Sequence, residues 1–420
     1  MPHRVGNLYE NIIKDSNIRR AHYNAKEDKT FYSAVIYTEN HLDERMSEIQ
    51  KILANHTYKV SPYNTSVIFD KNKKRILYKL PYYPDRIIQW AIMLQMEPVF
   101  MKTFSSFSCA SVKGRGSKKA SDMVRKWLCI YPEETKYCLK LDIKKFYPSI
   151  DHEILKHLLR RKFKDKDLLL ELDKIIDSID NCDVSKLDIP KSELKYYTQK
   201  GKGLPVGSYL SQYLANYYLT FFDHWLKEEL HCKFVVRYMD DIVIFGKTKE
   251  ELWEKFYRIK DYLQDLKLEV KSNYQVFPVD ARGVDFVGYR HFRGYTLMRK
   301  STLKNFKKLA RSINKKWYKQ QFQEMTDKEW FAYNSYLGRL KWCDGQRFFY
   351  EKLKWCYTSI NWHYCMHICG KKSYNPVSYY RQIKKNPYKR VKNIKKRSKK
   401  YYNDNYSHRR IHKRGKTHVS

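Results

Sequence analysis

The order of apolar and polar positions divides the chain into helical and strand-like stretches. Residues 7–55 read as mostly helical, with Leu42, Met46, Ile49, Ile52 and Leu53 at the spacing of one helix face. Residues 57–80 alternate instead, which predicts paired strands about a turn at Asp70-Lys71-Asn72-Lys73. From about Asp85, the positions of Ile87, Ile88, Ala91 and Leu94 predict another helix. Residues 137–141 read as a strand. Asp151 then stands where it would cap a helix that the pattern carries to about Ile179. Residues 209–228 predict a further helix. Two β-prone runs follow, Phe234-Val235-Val236-Arg237-Tyr238 and Ile242-Val243-Ile244-Phe245, and the short gap between them predicts a tight hairpin. Over 301–319, Leu303, Phe306, Leu309 and Ile313 recur at helix spacing with Lys and Arg between them. A helical pair through 330–340 and on to Leu353 completes the pattern, with Trp317 and Tyr318 expected in a core. This mixture of helices and antiparallel hairpins predicts an α+β fold.

Composition narrows the class. Hydrophobic residues make up 42% of the 420 positions, enough for a real core, so a disordered chain is excluded. No apolar run approaches the length of a spanning helix, and Met1-Pro2-His3-Arg4 lacks the apolar stretch of a secretion signal, so a cytoplasmic protein without membrane contact is expected. Nine scattered cysteines fit reduced thiols. His363, Cys365, His367 and Cys369, with Cys356 upstream, raise the question of zinc. Structural zinc sites more often use Cys-x₂₋₄-Cys spacing, so packed thiols are the expectation there.

The charge changes the picture more. Eighty-four Lys and Arg against 45 Asp and Glu leave a formal +39, which points to a polyanionic partner, most simply nucleic acid. Residues 371–420 hold +17 of that total, with Asp404 as their one acid, and read as a polybasic arm.

Within this basic chain two acidic features stand out. Asp240 and Asp241 fall at the tip of the expected hairpin, and Asp142 ends the expected strand Leu139-Lys140-Leu141-Asp142. Two strands of one sheet that each end in Asp bring hard oxygen ligands together, as two Mg²⁺ ions about 3.5–4 Å apart require for in-line phosphoryl displacement; Mn²⁺ suits the same ligands.

Tyr238-Met239-Asp240-Asp241 resembles the catalytic box of reverse transcriptases. The other motifs follow in the family's order: 141–152 resembles the first catalytic motif, and Gly203-Leu204-Pro205-Val206-Gly207-Ser208-Tyr209-Leu210-Ser211-Gln212 resembles the nucleotide-binding loop. Val284-Asp285-Phe286-Val287-Gly288-Tyr289 is similar to the primer-grip hairpin. Arg75-Ile76-Leu77 and Pro84-Asp85-Arg86-Ile87-Ile88-Gln89 resemble fingers motifs of bacterial members. The resemblance spans residues 7–345. It implies a right-hand polymerase with fingers, an antiparallel ferredoxin-like palm and a helical thumb. The divisions are 1–135 for N-terminal helices and fingers, 136–294 for the palm, 295–370 for the thumb and 371–420 for the basic tail. Asp142, Asp240 and Asp241 become the catalytic acids. Asp142 and Asp240 ligate metal, and Asp241 ligates or tunes the site electrostatically. Tyr147 falls at the ribose gate, where its ring would collide with a 2′-hydroxyl. Lys73 and Arg75 stand where a triphosphate would be clamped, and Lys271 is placed to protonate pyrophosphate, with Lys267 as competitor. The partners implied are an RNA template, a DNA or RNA primer and dNTPs.

Val206, Gly207 and Ser211-Gln212 are similar to the loop of diversity-generating retroelement enzymes, which copy RNA with errors at adenines and work with a small accessory protein. Where many bacterial members carry Gln, Val206 can neither donate nor accept a hydrogen bond, which removes one constraint on pairing geometry. Ser208-Tyr209-Leu210 departs from that pattern. A phage-defence or retron-like enzyme, and a non-catalytic RNA-binding protein on the same fold, remain the alternatives.

Overall fold

The structure, a computed structural model, describes residues 4–70, 73–319 and 326–345. Its contacts divide the chain after Thr296 into two units.

The first unit is built on a four-stranded sheet. Its strands are β3 (Tyr137–Asp142), β4 (Phe234–Tyr238), β5 (Asp241–Gly246) and β6 (Gln275–Pro278), and β1 (Asn64–Asp70) and β2 (Lys73–Lys79) form a separate hairpin earlier in the chain. The order β4-β5-β3-β6 is antiparallel throughout, and helices connect β3 to β4 and β5 to β6. Taken in chain order this is the fourth-first-third-second arrangement of a ferredoxin-like sheet, as expected. The alternation of a strand gives it two buried faces. Leu139, Leu141, Val235, Ile242 and Ile244 join the large helical core. Cys138, Val236, Val243, Phe245 and Phe277 pack on the other side under Ala120, Val124 and Leu128 of helix Ser117–Ile130. Helix Ile87–Thr103 is apolar nearly all round and runs through the large core, as such a pattern requires.

Two helical expectations are adjusted. The helix after Asp151 forms, and the Asp151 carboxylate accepts from the Ile154 amide at 3.1 Å, but it stops at Lys162. There the segment around Val5 pairs with the backbone: Val5 N–H donates to the Lys162 carbonyl and Lys164 N–H to that of Val5, each at 2.8 Å. Asp165 then caps helix Lys166–Asp177 and also accepts from the Leu8 and Tyr9 amides. Residues 209–228 form two helices, Tyr209–Tyr218 and Thr220–Glu228, parted at Leu219, whose amide turns back to the Asn216 carbonyl. The helix expected from about Asp85 forms: a helical turn, Tyr82–Arg86, runs directly into the regular helix Ile87–Thr103. Within that turn Asp85 is fully buried and accepts from the Tyr58 hydroxyl at 2.9 Å and the Ser61 amide at 3.0 Å.

Further along the first unit, β7 (Val284–Phe286) and β8 (Tyr289–His291) make the expected second hairpin. Its turn residues Val287 and Gly288 both take positive φ, as two-residue hairpin loops require. The second unit contains helices Lys300–Lys319 and Asp327–Leu340. Phe306, Ala310 and Ile313 pack with Tyr333 and Leu340, and Lys304, Lys308, Arg311 and Lys315 are exposed. Thr326 and Glu329 form a reciprocal cap on the second of these helices. No helix among the described residues is long and apolar enough to cross a membrane. The turn residues Lys71 and Asn72, the continuation to Leu353, the His363–Cys369 segment with Cys356 and the tail 371–420 lie outside the described residues. So do the side chains of Lys73, Trp317 and Tyr318.

Candidate active site

Strand register brings the acids together. Asp142 and Asp241 are direct partners across β3 and β5, on the face that carries Cys138 and Val243, beyond its apolar cover. Asp240 lies one residue earlier, in the two-residue turn between Tyr238 and Asp241, and Met239 before it has φ +59. Backbone bonds fix Asp142 on both sides. The Ile143 amide donates to the Asp240 carbonyl at 3.1 Å, and the Lys271 amide donates to the Asp142 carbonyl at 2.9 Å. The segment 269–271 therefore runs beside the end of β3 and places the Lys271 ammonium 3.9 Å from the Asp142 carboxylate.

A cavity of about 430 Å³ opens over this corner, lined by Asp142 and Asp240 and by Arg75, Tyr147, Val206 and Lys271 among others. Burial, followed by the Asp142 charge, pushes the Asp240 carboxyl above its ordinary value, and Arg75 and Lys271 pull it back. Other lysines on the wall are engaged: Lys144 with Glu269 at 2.8 Å, Lys145 with Glu193 at 2.9 Å and Lys74 with Asp188 at 2.7 Å. The Tyr147 hydroxyl donates to the Met239 sulfur at 4.0 Å, and burial with the nearby Asp240 charge raises its pKa.

Asp241 has a different setting. It does not line the cavity. Its Oδ2 is 3.5 Å from the Lys140 ammonium, and its buried Oδ1 has no hydrogen-bond partner. Burial pushes it up to about 6.

The donor set fits a divalent cation. Of the four carboxylates that line the cavity, Glu193 and Glu269 are paired with lysines, whereas Asp142 and Asp240 repel each other, a charge that a dication would neutralise. Among the described residues no three His, Cys, Asp or Glu side chains gather around one point. Two protein carboxylates with the remaining positions left to water and phosphate is how Mg²⁺ is usually held.

The other candidates separate. Lys267 is drawn away, its ammonium 2.7 Å from the Asp151 carboxylate, whereas Lys271 lines the cavity. Arg75 is on β2, which is tied to the loop by a 3.0 Å bond from the Tyr78 amide to the Val206 carbonyl. Lys73 begins the same strand. Gly207 faces a neighbouring cavity, and its positive φ meets a backbone so close that a Cβ would stand 2.9 Å from the Tyr78 carbonyl oxygen. Gln212, on the first turns of helix Tyr209–Tyr218, lines neither. Arg237 is a residue the motif chemistry does not single out. It is fully buried and donates to the Met239 carbonyl at the acidic turn. Its signal in the sequence is a lone cation inside an apolar strand.

An antiparallel ferredoxin-like sheet that ends in acids at one cavity is the palm of a right-hand polymerase. Residues 64–291 match the family described as reverse transcriptase (RNA-dependent DNA polymerase), and the chain belongs to that family. It is similar to Protein YkfC of Escherichia coli K12, 24% identical over 204 residues, 48% of this chain and 47% of that protein. It is also similar to nuclear intron maturase 4, mitochondrial, of Arabidopsis thaliana, 27% identical over 192 residues, 46% of this chain and 22% of that one. The chain thus spans less than half of each of these relatives. Among solved structures, telomerase from Candida albicans in complex with a TWJ fragment of telomeric RNA aligns over 64% of this chain and 52% of its own, at TM-score 0.41 and 11% identity.

Proposed function

We propose that the protein copies an RNA template into DNA, adding dNTPs to the 3′ end of a DNA or RNA primer. The observation that carries this reading is the meeting of Asp142 and Asp240 in one cavity that also presents Arg75, Lys271 and Tyr147. Asp142 and Asp240 would hold Mg²⁺, with Mn²⁺ as substitute, and Asp241 tunes their field from beside Lys140. The metal, when bound, supplies charge neutralisation at the reacting phosphate and a lower pKa for the primer hydroxyl. Arg75 grips the triphosphate. Lys271 holds a proton within reach of the departing pyrophosphate, and the Tyr147 ring bars a 2′-hydroxyl. Residues 1–135 serve as N-terminal helices and fingers, 136–294 as palm and 295–370 as thumb, whose exposed lysines would follow a duplex backbone. The tail 371–420 adds non-specific grip on RNA.

Within the family we favour a diversity-generating enzyme with a small accessory protein, on the ground that Val206 lines the cavity and offers an incoming nucleotide no hydrogen bond. The test is extension of a labelled primer on an RNA template with dNTPs and Mg²⁺. Wild type should extend it. Asp240→Asn should lose on the order of 10²–10³-fold in rate while still binding the duplex. Equal extension by the two proteins would reject the assignment of Asp240, and extension with NTPs alone would make the enzyme an RNA polymerase.

A further inference from the structure

The loop that carries Val206 to the active-site cavity is held at its root by the stretch that follows Asp142. The Gly203 amide donates to the Ile150 carbonyl at 2.7 Å, the Leu204 amide to that of Tyr147 at 3.0 Å, and the His152 amide to that of Gly201 at 2.9 Å. The Gly203 carbonyl is met by a side chain instead: Nε2 of His152 lies 2.8 Å from its oxygen.

His152 opens helix His152–Lys162, and its side chain is 1% exposed. Its other ring nitrogen, Nδ1, lies 3.2 Å from a carboxylate oxygen of Asp177, the last residue of helix Lys166–Asp177. Both neighbours are acceptors, because neither a carbonyl nor an ionised carboxylate has a proton to give. A neutral imidazole carries one N–H and one lone pair, so it serves one of them and turns its lone pair on the other. The imidazolium carries two N–H groups and serves both. Burial makes the mismatch of the neutral ring costly, since almost no water reaches it to relieve the contact.

The other charged groups nearby are engaged. Lys156, one turn along the same helix, reaches the same Asp177 oxygen at 2.8 Å and Glu153 at 3.3 Å. Asp180, just beyond Asp177, accepts from the Gly201 amide at 2.9 and 3.1 Å. Asp151 holds Lys267, and Lys202 on the loop side pairs with Asp151 through the backbone. We propose that His152 is a positioning residue for the incoming nucleotide: as an imidazolium it ties the Gly203 carbonyl to Asp177 and so fixes the path of the loop to Val206. The inference rests on the proposed polymerase function. Loss of the proton breaks the bridge at one end, whichever tautomer remains. Because Leu204 is tied to Tyr147, a loosened root reaches both Val206 and Tyr147 on the cavity wall. The acids hang on other bonds, from the Ile143 amide to the Asp240 carbonyl and from the Lys271 amide to that of Asp142. The effect therefore falls on nucleotide binding more than on the chemical step.

The test is steady-state primer extension on an RNA template by the full-length protein. KM for dNTP and kcat are measured from about pH 6 to about pH 9, the range through which an imidazole beside a carboxylate changes charge. His152→Gln places a polar side chain there that does not titrate. Dividing the wild-type KM by that of this variant removes the titration of the acids, of Lys271 and of the primer hydroxyl. At the acid end the wild-type KM should be about fivefold lower, the worth of one net hydrogen bond, and the ratio should climb toward one as pH rises. The difference in kcat should be smaller than that in KM. Asp177→Asn, at a partly exposed position, leaves the ring in place and removes the carboxylate that favours the imidazolium, so it should move the rise to lower pH. A ratio flat with pH, or a rise that Asp177→Asn does not move, overturns the proposal. A loss in kcat as large as the rise in KM, with earlier melting, makes His152 a folding residue and overturns it as well. If His152→Gln does not fold, the position of the rise in wild type against Asp177→Asn decides. No extension by wild type at any pH rejects the polymerase and this inference together, whereas extension with a flat ratio rejects this inference alone.

Discussion

Arg237 and Asp223 form a two-pronged ion pair inside the core, Nε to Oδ1 at 2.7 Å and Nη2 to Oδ2 at 2.5 Å. Both side chains are buried, and the guanidinium spends its remaining N–H groups on Ser108 Oγ, Asn216 Oδ1 and the Met239 carbonyl. One cation thus anchors the acidic turn to helices Tyr209–Tyr218 and Thr220–Glu228 from the face opposite the acids. Arg237→Met would strand Asp223 as a buried charge and should cost about 3–5 kcal/mol in urea unfolding. The double variant Arg237→Met with Asp223→Leu should recover most of that stability. Its extension rate should stay below wild type, because the Met239 carbonyl still lacks its donor. Full recovery of both would make the pair a matter of folding alone.

Tyr147 lines the cavity beside Asp240 and is held against Met239. Tyr147→Ala should raise ribonucleotide over deoxynucleotide incorporation by roughly 10–200-fold, the usual worth of one steric contact in selection. An unchanged ratio, from single-nucleotide extension with each substrate, removes Tyr147 from the gate.

Val206 is the loop residue that faces the acids. Val206→Gln should lower misincorporation opposite template adenine by about tenfold, the value of one well-placed hydrogen bond. Sequencing of the products reads this directly, and an unchanged error spectrum at adenines sinks the fidelity role.

His291 on β8 is fully buried, and burial pushes its pKa down to about 4. The unfolded chain, with an imidazole near 6.5, takes up a proton that the folded chain refuses, so stability is present above 6.5 and is lost as pH falls toward 4. Between pH 7 and pH 5 this one group should remove on the order of 2 kcal/mol. His291→Gln should lose correspondingly less over that interval. Parallel pH profiles for the two proteins in urea would show the group contributes nothing.

The site could be read in part because its chemistry is carried by contiguous residues. A hairpin with acids at its tip and a strand ending in Asp are local patterns, and Asp142 and Asp240 do meet in one cavity. Asp240 and Asp241 look equivalent in the chain. The turn separates them, directing Asp240 to the cavity and leaving Asp241 beside Lys140. Lys267 and Lys271 are similarly indistinguishable by spacing, until an ion pair with Asp151, more than a hundred residues earlier, takes one of them.

The sequence by itself carried a +39 charge that points to a polyanion, and the order of the motifs that resemble the family's, because charge and short-range periodicity need no partner elsewhere in the chain. Tertiary structure alone decided where helices stop, as at Lys162 against Val5, and that Arg237 is a support rather than a surface cation. Each of these depends on hydrogen bonds or walls shared by segments far apart in the chain, and no local pattern encodes such a pairing.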